Sequence, residues 1–88
     1  MAIINYIINL IMPYKSKREL PKGVRDNLPL DAQEIYQDTY NSAEEFYKEK
    51  SKRKNPNESK EEVAAKVAWS AVKSKYKKVD DKWKRIKI

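Results

Sequence analysis

From position 30 onward the chain carries two apolar stripes at helical spacing, separated by a short polar stretch. In the first, Ile35, Tyr36, Thr39, Tyr40, Ala43, Phe46 and Tyr47 recur every three or four residues, the period of one helix face. Most of the acids fall on the other side. This predicts a long helix that starts at Leu30 or Asp31 and runs to about Arg53. In the second stripe, Ala64, Val67, Ala68, Ala71 and Val72 fill the middle of an apolar arc, predicting a helix with a body from Val63 to about Lys78. Asn57 or Ser59 can cap this helix; Ser59 with Glu62 matches the Ser-x-x-Glu capping box, and Glu58, Glu61 and Glu62 sit where the helix dipole favours negative charge. Lys54-Asn55-Pro56-Asn57 reads as the turn between the two helices. A short connection predicts an antiparallel helical hairpin, and the small residues of the second stripe permit close approach to the tyrosines and phenylalanine of the first.

The flanks follow other patterns. Residues 13–20 are too polar for a core helix and read as an extended arm. Pro21 can open a short helix over Lys22 to Asn27, and Leu28-Pro29 ends it, because a residue before proline is pushed away from helical angles. After Asp80-Asp81, Trp83, Ile86 and Ile88 are interleaved with Lys82, Lys84, Arg85 and Lys87, a strand-like alternation. An isolated strand is unstable, so the tail needs a partner, and the arm near Tyr14 is the free candidate. The expected fold class is therefore α+β and mostly helical: a short helix, a long antiparallel hairpin, and a two-stranded ribbon pairing the arm with the tail, with Trp83 over the helices.

The opening run is a separate question. Ile3, Ile4, Ile7, Ile8 and Ile11 repeat at helical spacing, and high isoleucine content equally permits a strand. A helix of this run would be about 15–18 Å long against a bilayer core of roughly 30 Å, so it cannot span. It lacks the basic segment and small-residue cleavage site of a secretory signal, and no lysine or arginine supports an interfacial helix. In order, it reads as a start-site extension, an added core or dimer element, or a weak interfacial anchor. Residues 1–11 are thus expected to be an addition to a domain formed by residues 12–88.

Composition narrows the chemistry. The 88 residues allow one small domain with a thin core. There is no cysteine and no histidine, which removes disulfides, cysteine-based zinc sites and the commonest general base. The chain has no glycine-rich phosphate loop, nucleophile–base pair or metal constellation, and Asp80-Asp81 matches no EF-hand loop. An enzyme ranks last, and no cofactor or metal is expected.

Charge points elsewhere. The net charge is +7, but it is divided into blocks. Residues 30–50 hold Asp31, Glu34, Asp38, Glu44, Glu45 and Glu49 against Lys48 and Lys50. Lys52, Arg53 and Lys54 follow, and residues 63–79 hold Lys66, Lys73, Lys75, Lys77 and Lys78 with no acid. One acidic flank and one basic end can attract polyanions from one side. On the second helix, Lys66, Ser70, Lys73 and Lys77 line the far side, with Trp69 and Tyr76 at the borders. The aromatics read as seals on the edge of a small core; the lysine row is open between a solvated face and a phosphate-contacting one.

Several short runs carry a family likeness: Met12-Pro13-Tyr14-Lys15-Ser16-Lys17, Leu20-Pro21, Leu28-Pro29, Ala32-Gln33-Glu34-Ile35-Tyr36, Asn41-Ser42-Ala43, Val67-Ala68-Trp69-Ser70-Ala71-Val72-Lys73 and Asp81-Lys82-Trp83. In this order and spacing they resemble the ChaB family over roughly residues 12–83. Small members of that family start at the Met-Pro-Tyr-Lys run, so the eleven residues before it are a departure. The resemblance implies helices plus a small sheet. It implies either a regulator of a cation/proton antiporter, as bacterial members are named, or a DNA-binding protein, as the insect-virus members are described. It brings no set of functional residues.

The leading expectation is a non-enzymatic module that binds duplex DNA through phosphates without sequence readout. Lys52, Arg53 and Lys54 in the turn and Lys66, Lys73 and Lys77 along the helix would make the contacts. Lys15, Lys17 and Arg18 in the arm and Lys84, Arg85 and Lys87 in the tail would add a second cluster if the ends pair. The alternative is a regulator that docks on a cytoplasmic loop of a membrane transporter through its acidic flank (Glu34, Asp38, Glu45) or its basic patch, with residues 1–11 holding it near the bilayer. Either role would be intracellular, in a bacterial cytoplasm or, for a viral protein, the nucleus of the infected cell. The sequence sets no oligomeric state.

Overall fold

A computed structural model describes residues 13–86. The arm comes first, with a single 3-10 turn at Lys17–Glu19. Helix α1 (Lys22–Asn27), the long helix α2 (Leu30–Phe46) and helix α3 (Lys60–Lys75) follow, and the chain ends in strands β1 (Tyr76–Val79) and β2 (Lys82–Arg85). Helices α2 and α3 form the predicted hairpin, and α1 has the predicted bounds.

Local chemistry accounts for most element ends. Ser59 caps α3 as expected: its side chain accepts from the Glu62 backbone N–H at 3.1 Å. Pro29 precedes α2, and its carbonyl accepts from the Gln33 N–H at 2.9 Å, opening the first turn. Helix α2 stops at Phe46, about two turns short of the expected Arg53. Beyond Tyr47 the sequence is charged without an apolar residue, so a longer helix would bury nothing. The chain turns aside and forms one 3-10 turn at Lys50–Lys52.

The core is a ladder with a step of three or four residues. Ala64, Ala68, Val72 and Tyr76 stand on one side; Ala32, Tyr36, Tyr40 and Ala43 stand on the other, with Leu20, Val24 and Leu28 closing the end. Ala32, Ala64 and Ala68 are fully buried. Small side chains let the helix backbones approach, and the tyrosines fill the width that remains. Phe46, expected in this stripe, is instead 55 % exposed at its edge, on the final turn of α2.

Aromatic rings run through the molecule as one seam. Tyr14 meets Tyr40 at 4.7 Å between centroids, Tyr40 meets Tyr36 at 6.0 Å, Tyr36 meets Trp69 edge-on at 5.4 Å, and Trp69 meets Trp83 at 5.8 Å. Arm, both long helices and ribbon are thereby joined, and Trp83 packs as predicted. Burial raises the Tyr36 and Tyr40 hydroxyls above the ordinary tyrosine range, with Tyr14 adding to both, so these groups stay protonated at neutral pH.

The ribbon exists, but its pairing corrects the expectation. β2 pairs antiparallel with β1, not with the arm, in the register Tyr76↔Arg85, Lys77↔Lys84, Lys78↔Trp83 and Val79↔Lys82. A two-residue turn closes this hairpin at small entropic cost, whereas joining the chain ends would close a loop of most of the molecule. The arm is engaged elsewhere. Asn41, buried in α2, accepts from the Tyr14 N–H at 3.1 Å and donates to the Tyr14 carbonyl at 2.9 Å; Gln37 donates to the same carbonyl at 3.1 Å. Helix α3 correspondingly ends at Lys75 instead of Lys78, because residues 76–79 are taken into the hairpin.

The hairpin turn is a weak point. Asp80 and Asp81 both have positive φ, 51° and 65°, the conformation of a type I′ turn, which Asn-Gly adopts at least cost. Replacing them together, Asp80→Asn with Asp81→Gly, is expected to stabilise the protein by about 0.5–1 kcal/mol, visible as a rise in Tm of a few degrees. An unchanged or lower Tm would show that the carboxylates offset the backbone cost through the surrounding lysines.

The opening run, residues 1–11, and residues 12, 87 and 88 lie outside the described residues.

Candidate functional site

The connection between α2 and α3 is held by one side chain. Arg53 donates from Nε to the Tyr47 carbonyl at 2.8 Å, from Nη1 to the Glu58 carbonyl at 3.0 Å and from Nη2 to the Lys48 carbonyl at 3.1 Å. Carbonyls at and beyond the end of a helix lack helical partners, and a guanidinium fork satisfies three at once. Asn55 tightens the same segment by accepting from the Asn57 N–H at 3.0 Å.

Held this way, the connection stands beside the outer side of α3 and leaves an open cleft of about 790 Å³. Tyr47, Val63, Val67 and Ala71 give it an apolar lining, and Lys52, Lys54 and Lys66 bring three ammonium groups to it. Glu58 pairs with Lys66 at 2.7 Å and raises its pKa, keeping that ammonium charged. Nearby, the exposed Phe46 ring stacks edge-on against Tyr47 at 4.8 Å, with the Lys52 ammonium 4.9 Å from its centroid. Apolar floor, aromatic neighbour and basic rim together suit an amphipathic, acidic segment of a protein.

The sequence-derived candidates are dispersed. Lys52, Lys54 and Lys66 meet at the cleft, while Arg53, from the same run, is committed to the backbone of the connection. Lys73 lies in the last turn of α3 beside Trp69, with Lys66 one further step along. Lys77 belongs to β1 and not to the helix. Lys15, Lys17 and Arg18 lie against the acidic side of α2 beside Glu34 and Asp38, and Lys17 pairs with Glu34 at 3.9 Å. Lys84 and Arg85 are on β2, so the arm and tail cations form no joint cluster through strand pairing.

Sequence reasoning missed the cleft itself. Its signal was an apolar arc on α3 wider than a hairpin needs: Ala64, Ala68 and Val72 are buried against α2, and Val67 and Ala71, only half-buried, remain for the cleft. Also missed were Gln33 and Asn41, buried amides whose polar groups are spent on backbone; Gln33 donates to the Leu28 carbonyl at 2.8 Å and to that of Arg25 at 3.2 Å. Among the described residues no group of acids is placed to hold a metal ion, and no helix is long and apolar enough to cross a membrane.

These features define a class: a small helical-hairpin module with a half-apolar, lysine-bearing cleft and a terminal basic ribbon. The chain belongs to the ChaB family, whose model matches residues 20–85. It is 52 % identical over 73 residues to the proteins of Escherichia coli K12 and Shigella flexneri named "Putative cation transport regulator ChaB", a match covering 82 % of this chain and 95 % of each relative. A solution structure determined by NMR, of a protein bearing the same name, superposes with a TM-score of 0.68 at 49 % identity, covering 85 % of this chain and all of that one.

Proposed function

We propose that this chain is a non-catalytic regulator of cation transport that docks on the cytoplasmic part of a cation/proton antiporter. The bacterial relatives' names favour this reading over DNA binding. The observation that carries it is the cleft, where the part-buried Val67 and Ala71 line a floor bordered by Lys52, Lys54 and Lys66. A phosphate backbone needs the lysines but not the apolar floor, whereas an amphipathic protein segment with acidic residues uses both.

The test is cation/proton exchange by the antiporter in inverted membrane vesicles, with the full chain added, alongside direct binding to the purified transporter. Val67→Glu places a charge on the cleft floor at a part-buried helix position. It is expected to weaken binding by about tenfold or more and to abolish the effect on exchange, with circular dichroism checking that the variant keeps its helical fold. If Val67→Glu binds like the parent chain, the cleft is not the docking site. If the parent chain binds only a random-sequence duplex, with affinity falling linearly against log salt, the DNA reading replaces this one.

A further inference from the structure

The terminal hairpin has an open side. Ile86 donates its N–H to the Lys75 carbonyl at 2.8 Å, one step beyond the Tyr76↔Arg85 pair. In an antiparallel ladder hydrogen-bonded and non-hydrogen-bonded pairs alternate. Lys77↔Lys84 and Val79↔Lys82 are therefore the bonded pairs. Tyr76↔Arg85 and Lys78↔Trp83 are the non-bonded ones, with N–H and C=O groups directed away from the partner strand.

The two edges differ. On β1 the Tyr76 N–H is already spent on the Val72 carbonyl as the cap of α3, and β1 is the strand next to that helix. On β2 the backbone groups of Trp83 and Arg85 have no partner among the described residues. The outer face of the ribbon, set by the two-residue period, carries Lys77, Lys82 and Lys84 beside Val79. Two lysines directly opposite each other disfavour the hairpin, and no acid pairs with any of the three among the described residues. A two-stranded sheet of this kind is marginal alone; a third strand bearing acids on that face would remove both penalties.

We propose that the outer edge of β2 accepts an extended acidic segment of a partner protein as a third strand. Its backbone would pair with Trp83 and Arg85. Acids at alternate positions would lie beside Lys82 and Lys84, and apolar residues between them would lie on the side of Trp83. The occupant thus has a readable signature, acid and apolar residues in strict alternation, unlike the amphipathic segment that suits the cleft. The proposal does not depend on the transporter reading.

The test uses the isotope-labelled full chain and a short synthetic peptide in which glutamate alternates with valine, with amide exchange as the readout. On peptide addition the Trp83 and Arg85 amides are expected to slow by about tenfold or more, while those of Lys77, Lys82 and Lys84 change little. Arg85→Pro removes one outward N–H at a non-bonded position, where proline leaves the hairpin ladder intact. It should abolish peptide binding, whereas Arg85→Gln, which keeps the N–H, should weaken it only a few-fold. Trp fluorescence from the Trp69–Trp83 contact confirms that each variant retains the ribbon. Val67→Glu should leave this binding unchanged, separating it from the cleft.

The proposal would be overturned by Trp83 and Arg85 amides already protected before peptide is added, by peptide binding that shifts lysine side chains without protecting the two amides, or by no binding at all. Binding to phosphatidylglycerol vesicles in place of the peptide would assign the lysines to a membrane surface and overturn it equally.

Discussion

Tyr36→Ala is expected to cost about 3–5 kcal/mol of folding stability and to lower Tm by at least about 15 °C in a circular-dichroism melt. The side chain is 2 % exposed between α2 and α3 and is the ring through which the Tyr40 and Trp69 ends of the aromatic seam meet. Removing it opens a cavity facing Ala64 and Ala68, whose small side chains cannot fill it. A domain of this size has only about 4–13 kcal/mol in total, so the variant should be partly unfolded near body temperature. Tyr36→Phe keeps the ring and should lose less than about 1 kcal/mol. A small effect of Tyr36→Ala would mean that the hairpin collapses to fill the space, and that the seam does not tie it together.

The second large effect is expected at Arg53. If Arg53 acted as a surface cation, lysine would replace it at almost no cost. Because its guanidinium reaches three carbonyls from a half-buried position, Arg53→Lys should instead cost about 2 kcal/mol while preserving net charge. Amide exchange across residues 47–58 should accelerate by more than the global change in stability requires, since the connection loses its fixed shape. Stability within about 0.5 kcal/mol of the parent would show that the clip contributes little. The same variant bears on the cleft, one wall of which is the connection: a loosened wall should weaken partner binding even though every cleft-lining residue is unchanged.

Arg53 also shows where reading the sequence went astray and why. Lys52-Arg53-Lys54 is one basic run by composition, and nothing in the one-dimensional pattern separates its middle member from its neighbours. Only the path of the chain past the end of α2 puts carbonyls of Tyr47, Lys48 and Glu58 within reach of that one side chain. The α2 end was misplaced for a related reason. Charged residues are good helix formers, so propensity let the helix continue; the absence of anything to bury stopped it.

The ribbon divides in the same way. Alternation in residues 82–88 was enough to expect a strand, and Asp80-Asp81 enough to expect a break. The partner was missed because residues 76–79 also continued the four-residue row of Ala64, Ala68 and Val72. Tyr76 satisfies both patterns: it fills the next core position and opens β1. The cleft shows the converse. Val67 and Ala71 were visible as apolar positions, but whether they face α2 or remain uncovered depends on the rotation of α3 against its partner.

What the sequence determined by itself were features carried by neighbours along the chain: the capping box at Ser59, the proline-bounded helix α1, the start of α2, the helical hairpin and a strand at the tail. Each follows from contacts a few residues long, whose geometry is the same in any protein. The tertiary structure alone decided the aromatic seam, the seating of the arm on Asn41, the use of Arg53, the exposure of Phe46 and the partial burial of Val67 beside the cleft. These depend on which surfaces meet across the hairpin, and packing energy is collected there between residues that local pattern cannot relate.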